Sequence, residues 1–204
     1  HASRSVLMHI INAIKTGDVS EAPRLEAMLS HTIQSNKERE MAYVRQATHD
    51  ALTGCKNRRA FDSDVAELLN AQQPFAMALV DIDNFKSIND TLGHLTGDIV
   101  LRNVAREGIQ IMQPHHVSLY RYGGEEFAVI FQAEQMTSAL SLLEAWRTAV
   151  EKRVWREENL RVTFSGGLGE WHFEPLEQFV GSVDNALYSA KQQGKNRINR
   201  TSIS

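Results

Sequence analysis

Only one of the 204 residues is a cysteine, Cys55, so the chain can close no internal disulfide, and a reducing, cytoplasmic compartment is expected. Proline is scarce too: four prolines and twelve glycines exclude a collagen-like or low-complexity chain. No apolar run approaches the roughly 18 residues that a membrane span needs, so no membrane contact is expected. Neither charge dominates. With 22 basic and 25 acidic residues the net charge is −3, which excludes the basic field that attracts nucleic acid or anionic lipid. An anionic substrate must then be held by a few placed groups. What is present, 42% apolar and 23% charged residues, is the balance of a folded globular chain. The sequence opens on His1, with neither Met nor a signal-peptide pattern, and reads as a soluble piece of a longer protein.

Residues 4–16 place Val6, Ile10, Ile11 and Ile14 at helical spacing, stopped by Gly17-Asp18. A second helical stretch covers 22–48, with Leu25, Met28, Leu29, Ile33, Tyr43, Val44 and Ala47 as its apolar members. As a coiled coil it is weak, because the register through Leu25, Leu29 and Thr32 continues into Asn36 and Arg39. Residues 1–45 therefore read as a helical linker or a fragment of an upstream signalling module, and 46–204 as the folded domain. In the latter, FAMALVDID (75–83) has the continuous apolar run of a strand buried on both faces. Residues 97–112 and 135–152 have helical character, and SLYRYGGEEFAVIF (118–131) is a hairpin about Gly123-Gly124. A strand is expected over 160–170, then a helix from near Pro175 to Gly194. Strands alternating with helices, plus one hairpin, give an α/β fold with a mixed or antiparallel sheet.

Acids concentrate at two strand ends. In Asp81-Ile82-Asp83 the alternation of a strand sends both carboxylates to one side and Ile82 to the other. Such a pair suits a cation site, and equally suits capping just past the strand. Glu125 and Glu126 follow a turn without side chains, where backbone N–H groups can approach a phosphate, although solvated acids at a hairpin tip are an ordinary alternative. Together the two segments could form an oxygen-only Mg²⁺ site, with Lys86 as a point charge for phosphates. Asn89 lies in the loop beyond and Asp98 at a helix start, where it could equally be an N-cap behind Gly97.

DALTGCKNRRAF (50–61), VDIDNFKSINDTLGHLTGD (80–98), RYGGEEF (121–127) and DNALYSAKQQGKNR (184–197) resemble, in order and spacing, the GGDEF-domain diguanylate cyclases, over about 49–200. The resemblance implies a palm-like nucleotidyl-cyclase fold and the joining of two GTP molecules into cyclic di-GMP, with release of two pyrophosphates. It implies Mg²⁺ or Mn²⁺ held by the Asp81 side chain, the Ile82 carbonyl oxygen and Glu125, the last also taking a proton from the 3′-hydroxyl. Lys86 would stabilise the phosphates, and Asn89 and Asp98 would read guanine, with Phe85 and His94 in the same pocket. Lys191 and Lys195 would reach the β- and γ-phosphates beside the N–H groups of the 82–86 turn. For both lysines the helix dipole is a competing explanation, and at position 195 the family more often has Arg, whose planar fork Lys lacks. A two-fold symmetric product implies a homodimer, each domain bringing one GTP. An upstream sensor would then act through residues 1–48.

One departure stands out. The family's inhibitory product site, Arg-x-x-Asp, falls here on Pro114-His115-His116-Val117, so no feedback through it is expected. The eight histidines show no zinc-ligand spacing. Cys55, beside Lys56 and Arg58, could have a lowered pKa but is read as a bystander. Trp146, Trp155 and Trp171 are read as packing residues rather than base-stacking platforms. Two other readings are disfavoured: a non-catalytic nucleotide receptor by the joint presence of Asp81, Lys86, Glu125 and Glu126, and a structural or dimerising domain by the four motifs in register.

Overall fold

A computed structural model of the chain describes residues 7–11, 15, 22–157 and 159–201. Of the first expected helix, residues 7–11 and 15 are helical; Val6, Ile14 and Gly17-Asp18 lie outside the described residues. The chain divides into two compact units, 1–47 and 48–204. The first carries helix α1 (Ala22–Thr48), on which no residue is buried and Leu29, Ile33, Met41, Tyr43 and Val44 are exposed.

The second unit is built on a five-stranded sheet. Its central strand β1 (Phe75–Ile82) is flanked by β3 (Glu126–Gln132) and β4 (Phe164–Glu170), both antiparallel to it. Outside these lie β2 (Ser118–Arg121), antiparallel to β3, and β5 (Ile198–Arg200), parallel to β4, in the order β2-β3-β1-β4-β5. The sheet is therefore mixed. β1 is apolar from Phe75 to Val80 because both of its faces are covered there. Ala76, Ala78, Val80 and Ile82 pack into one core with α4 (His94–Met112) and α5 (Ala139–Glu151). Phe75, Met77 and Leu79 pack into the other with α2 (Arg58–Asn70) and α6 (Leu176–Gln192). A short helix, α3 (Phe85–Leu92), follows β1 directly.

The strand pattern also decides where α6 sits. β4 reads FSGGLGE, and a Cβ on Gly167 would stand 2.2 Å from the Val183 carbonyl oxygen and 2.6 Å from the Leu187 nitrogen. The helix backbone therefore rests directly on the strand at Gly167, bringing the last turn of α6 to the end of β1.

Several expected boundaries move. β1 stops at Ile82 rather than Asp83. The helix expected from 97 begins at His94, with Gly93 (φ 84°) as its cap, so Asp98 lies in its second turn and is not an N-cap. Asn89 stands on α3 rather than in a loop. The strand expected from 160 begins at Phe164, and the helix expected over 135–152 is a 3-10 turn at Ala133–Ser138 followed by α5. Trp146 is fully buried, 4.6 Å from the Phe164 ring centroid, with its Nε1 donating to the Val104 carbonyl at 2.9 Å. Trp171 packs against Phe75 at 5.4 Å. The idea that neighbouring cations lower the Cys55 pKa is reversed: the side chain is buried, and burial pushes the thiol up to about 12.

Candidate active site

β1 alternates, so Asp81 falls on the face covered by α6 while Ile82 turns into the opposite core. Asp81 stands directly across the ladder from Glu126, and the Ile82 N–H donates to the Glu125 carbonyl at 3.3 Å. The hairpin tip is thus tied to the end of β1, and its two glutamates are delivered beside Asp81. A Cβ on Gly123 would meet Glu126 Oε2 at 2.3 Å, so a larger residue there would push that carboxylate aside. On the other side Lys191, in the last turn of α6, donates to Asp81 Oδ1 at 2.6 Å. The Asp81 side chain is only 14% exposed.

Electrostatically the site holds more negative charge than it compensates. Burial raises the Asp81 carboxyl pKa, Glu125 and Asp83 raise it further, and Lys191 opposes them. Burial and the charges of Asp81, Glu125 and Asp184 raise Glu126, again against Lys191. Among the described residues no three acids, histidines or cysteines form a ready-made metal cage. Carboxylates crowded around one lysine nevertheless match a hard divalent cation, which takes oxygen ligands and completes its sphere with phosphates and water.

Asp83 does something else. It is 4% exposed and fully engaged: Oδ1 accepts from Ser165 Oγ at 2.7 Å, and Oδ2 accepts from Thr163 Oγ1 at 2.8 Å and from the Asn196 N–H at 3.0 Å. Of the two readings open for Asp81-Ile82-Asp83, a cation site or capping just past the strand, Asp83 takes the second, because protein donors fill both of its oxygens. Its side chain stays on the Asp81 side of the sheet, since Ser165, which donates to it, stands across the ladder from Asp81, and there it anchors loops.

The remaining candidates gather around the same end of the sheet. Lys86 is exposed in the first turn of α3. Asn84, just before it, is left-handed (φ 55°), and its Oδ1 accepts from Lys195 Nζ at 2.5 Å. Asn89 and Phe85 lie against α4 where Gly97 has no side chain. A Cβ there would meet Asn89 Oδ1 at 1.9 Å and the Phe85 ring at 3.2 Å. Asp98, half-buried, is the next residue along α4, and His94 is exposed at that helix's start. Lys191 and Lys195 are separated from the α3–α4 pair in sequence but are brought to it by Asp81 and Asn84.

Compared with known proteins, the chain matches the family described as "Diguanylate cyclase, GGDEF domain" over residues 47–197. The chain belongs to the GGDEF-domain family. It is 37% identical over 168 residues to diguanylate cyclase VdcA of Vibrio cholerae, covering 79% of this chain and 49% of VdcA. It is 35% identical over 186 residues to diguanylate cyclase DgcM of Escherichia coli K12, covering 89% of this chain and 42% of DgcM. The chain thus spans about half the length of the curated relatives it matches. Among solved structures it is similar to the coiled coil and GGDEF domain of DgcB from Caulobacter crescentus, determined in complex with c-di-GMP. That match has a TM-score of 0.72 and 32% identity, and covers 90% of this chain and all of that one.

In this GGDEF domain the signature reads Gly123-Gly124-Glu125-Glu126-Phe127. Its support was not foreseen from the sequence. Arg121 donates to the Gly124 carbonyl through Nε (3.3 Å) and Nη2 (3.0 Å), while Nη1 reaches both Asp50 oxygens (3.0 and 3.2 Å). Asp50 also accepts from the Thr53 N–H and hydroxyl. Burial alone would lift the Asp50 carboxyl, but these hydrogen bonds hold it below the usual range. Asn196 was also missed; its left-handed backbone (φ 48°) sits in a Lys-Asn pair that only a folded structure exposes.

Proposed function

We propose that this chain is a diguanylate cyclase, acting in the cytoplasm as a homodimer under an upstream sensor, and that it joins two GTP molecules into cyclic di-GMP. The observation carrying the reading is the meeting of Asp81 and the Glu125-Glu126 tip at one end of the sheet, beside Lys191 and the α3–α4 pair. That end offers oxygen ligands, cationic groups and the polar side chains of Asn89 and Asp98.

Asp81, the Ile82 carbonyl and Glu125 would hold Mg²⁺ or Mn²⁺, which when bound polarises the phosphate oxygens and acidifies the attacking hydroxyl. Asn89 and Asp98 read the Watson–Crick edge of guanine, beside Phe85 and His94. Adenine lacks the matching donors and would leave the Asp98 carboxylate unpaired, a difference that favours guanine strongly. Lys86, Lys191, Lys195 and the first-turn N–H groups of α3 take the triphosphate. Glu125 accepts the proton of the 3′-hydroxyl as its oxygen bonds to the α-phosphorus of the facing nucleotide. The bond from that phosphorus to the bridging oxygen breaks, and pyrophosphate carries away the electron pair. Two such displacements close the ring. One domain supplies one nucleotide, so two domains must face each other, and helix α1 is placed in the chain to set that pairing.

The test is to incubate the chain with GTP and Mg²⁺ and measure pyrophosphate and dinucleotide over a range of protein concentrations. The expected result is one cyclic dinucleotide for every two pyrophosphates, with specific activity rising with concentration until pairing saturates. GTP binding without either product would assign the chain to nucleotide reception instead.

A further inference from the structure

The turn between α6 and β5 holds three successive left-handed residues: Gly194 (φ 114°), Lys195 (φ 63°) and Asn196 (φ 48°). Glycine adopts this backbone freely, but for lysine and asparagine it is strained, and such strain persists only where the surroundings over-determine it. Here they do. The Asn196 N–H donates to buried Asp83 at 3.0 Å, its Oδ1 accepts from Arg147 Nη1 at 2.8 Å, and its Nδ2 donates to Glu151 Oε1 at 2.8 Å. Arg147 is itself fixed by Glu144 (2.8 Å) and Glu151 (2.9 Å). Through its backbone N–H and its side chain together, Asn196 thus joins the loop after β1 and helix α5 to the turn, and its neighbour Lys195 is directed to Asn84, one residue before α3.

We propose that Asn196, held by Asp83 and by the Arg147–Glu151 pair, is a positioning residue that sets Lys195 beside the first turn of α3 to meet the terminal phosphates. This rests on the nucleotide reading above. It also gives Asp83 a function distinct from cation binding. Lys keeps the charge of the family's more frequent Arg but not its planar fork, so at this position the direction of the side chain has to come from the backbone that carries it. An extended or helical backbone at 195–196 would aim the ammonium elsewhere.

The test compares binding of a non-hydrolysable GTP analogue with Mg²⁺ to the wild-type chain, Asn196→Gly, Lys195→Ala and the double variant. Glycine keeps the left-handed backbone and its N–H, so the first variant removes only the links to Arg147 and Glu151. Asn196→Gly is expected to weaken binding roughly ten-fold, as Lys195→Ala does. The double variant is expected to be no weaker than Lys195→Ala alone. Glu151→Ala, on an exposed helix surface, is a second way to loosen Asn196, and its smaller loss should likewise vanish in the Lys195→Ala background. Penalties that simply add, or unchanged binding by Asn196→Gly, overturn the proposal while leaving the nucleotide reading standing. A wild-type chain that does not bind the analogue overturns both.

Discussion

Lys191 Nζ lies 2.6 Å from Asp81 Oδ1, a contact across 110 residues that joins the last turn of α6 to the end of β1. Within it Asp81 is the strained partner, since burial and two neighbouring carboxylates all oppose its charge. Asp81→Asn is therefore expected to leave the melting temperature level or to raise it by about 2–4 °C, while turnover falls by roughly two orders of magnitude or more. Lys191→Met should do the reverse for stability, losing about 1–2 kcal/mol by leaving a half-buried carboxylate unpaired. Thermal melts alongside pyrophosphate release check both. An Asp81→Asn chain that is active would remove that carboxylate from the chemistry.

The brace behind the hairpin gives a pH dependence. Asp50 is held below its ordinary pKa by Thr53 and Arg121 against the opposing effect of burial. Its contribution is complete above the unfolded carboxylate value and is lost as the pH falls through the lowered folded value. Asp50→Asn is expected to cost about 1–3 kcal/mol at neutral pH and to flatten the acid side of the stability curve. Denaturant unfolding across that range measures it, and parallel curves for the two proteins would contradict the assignment.

Much of this arrangement was legible in the residues. The apolar run of β1 and the glycine turn of the hairpin announced the two segments that meet, because burial on both faces and a turn without side chains each leave a local pattern. Asp83 leaves the sheet on the Asp81 side as a period of two predicts, but the Ser165, Thr163 and Asn196 donors that decide for capping over a cation are 80 or more residues away in sequence. Helix α3 is eight residues long, too short for its periodicity to separate it from a loop, so Asn89 was placed off it. Asp98 looked like a cap because Gly97 resembled a break. In the fold that glycine is inside α4, kept small to admit Asn89. Partners such as Asp50 with Arg121, or Asn196 with Arg147, are 71 and 49 residues apart and leave no local trace.

The close seat of α6 on β4 can be tested through Gly167. A methyl group there would press on the Val183 carbonyl and the Leu187 nitrogen, both backbone atoms that no rotamer change can move aside. Gly167→Ala is expected to destabilise the fold by about 1–3 kcal/mol or more. Because α6 carries Lys191, nucleotide affinity should fall with it. Gly181, where a Cβ meets nothing within 4 Å, is the matched control and should gain from the same change. Equal stability of the two variants would contradict the packing.

Product feedback is the next expectation. In the window 114–117, Pro114, His115 and His116 are exposed and Val117 is buried in the core, so the segment offers neither a guanidinium nor a carboxylate to a dinucleotide. Added cyclic di-GMP should leave the initial rate of pyrophosphate release unchanged. Slowing that persists in a Pro114→Ala, His115→Ala, His116→Ala chain would show product binding elsewhere, and slowing abolished by those changes would show that this window binds it.

A single divalent ion shared by Asp81 and Glu125 is most directly tested by titrating Mn²⁺ in the presence of GTP and following the free ion by paramagnetic resonance. The wild-type chain should take up Mn²⁺ with the nucleotide, and Asp81→Asn and Glu125→Gln should each weaken that uptake by roughly ten-fold or more. Uptake unchanged in either variant would mean that its carboxylate does not share the ion.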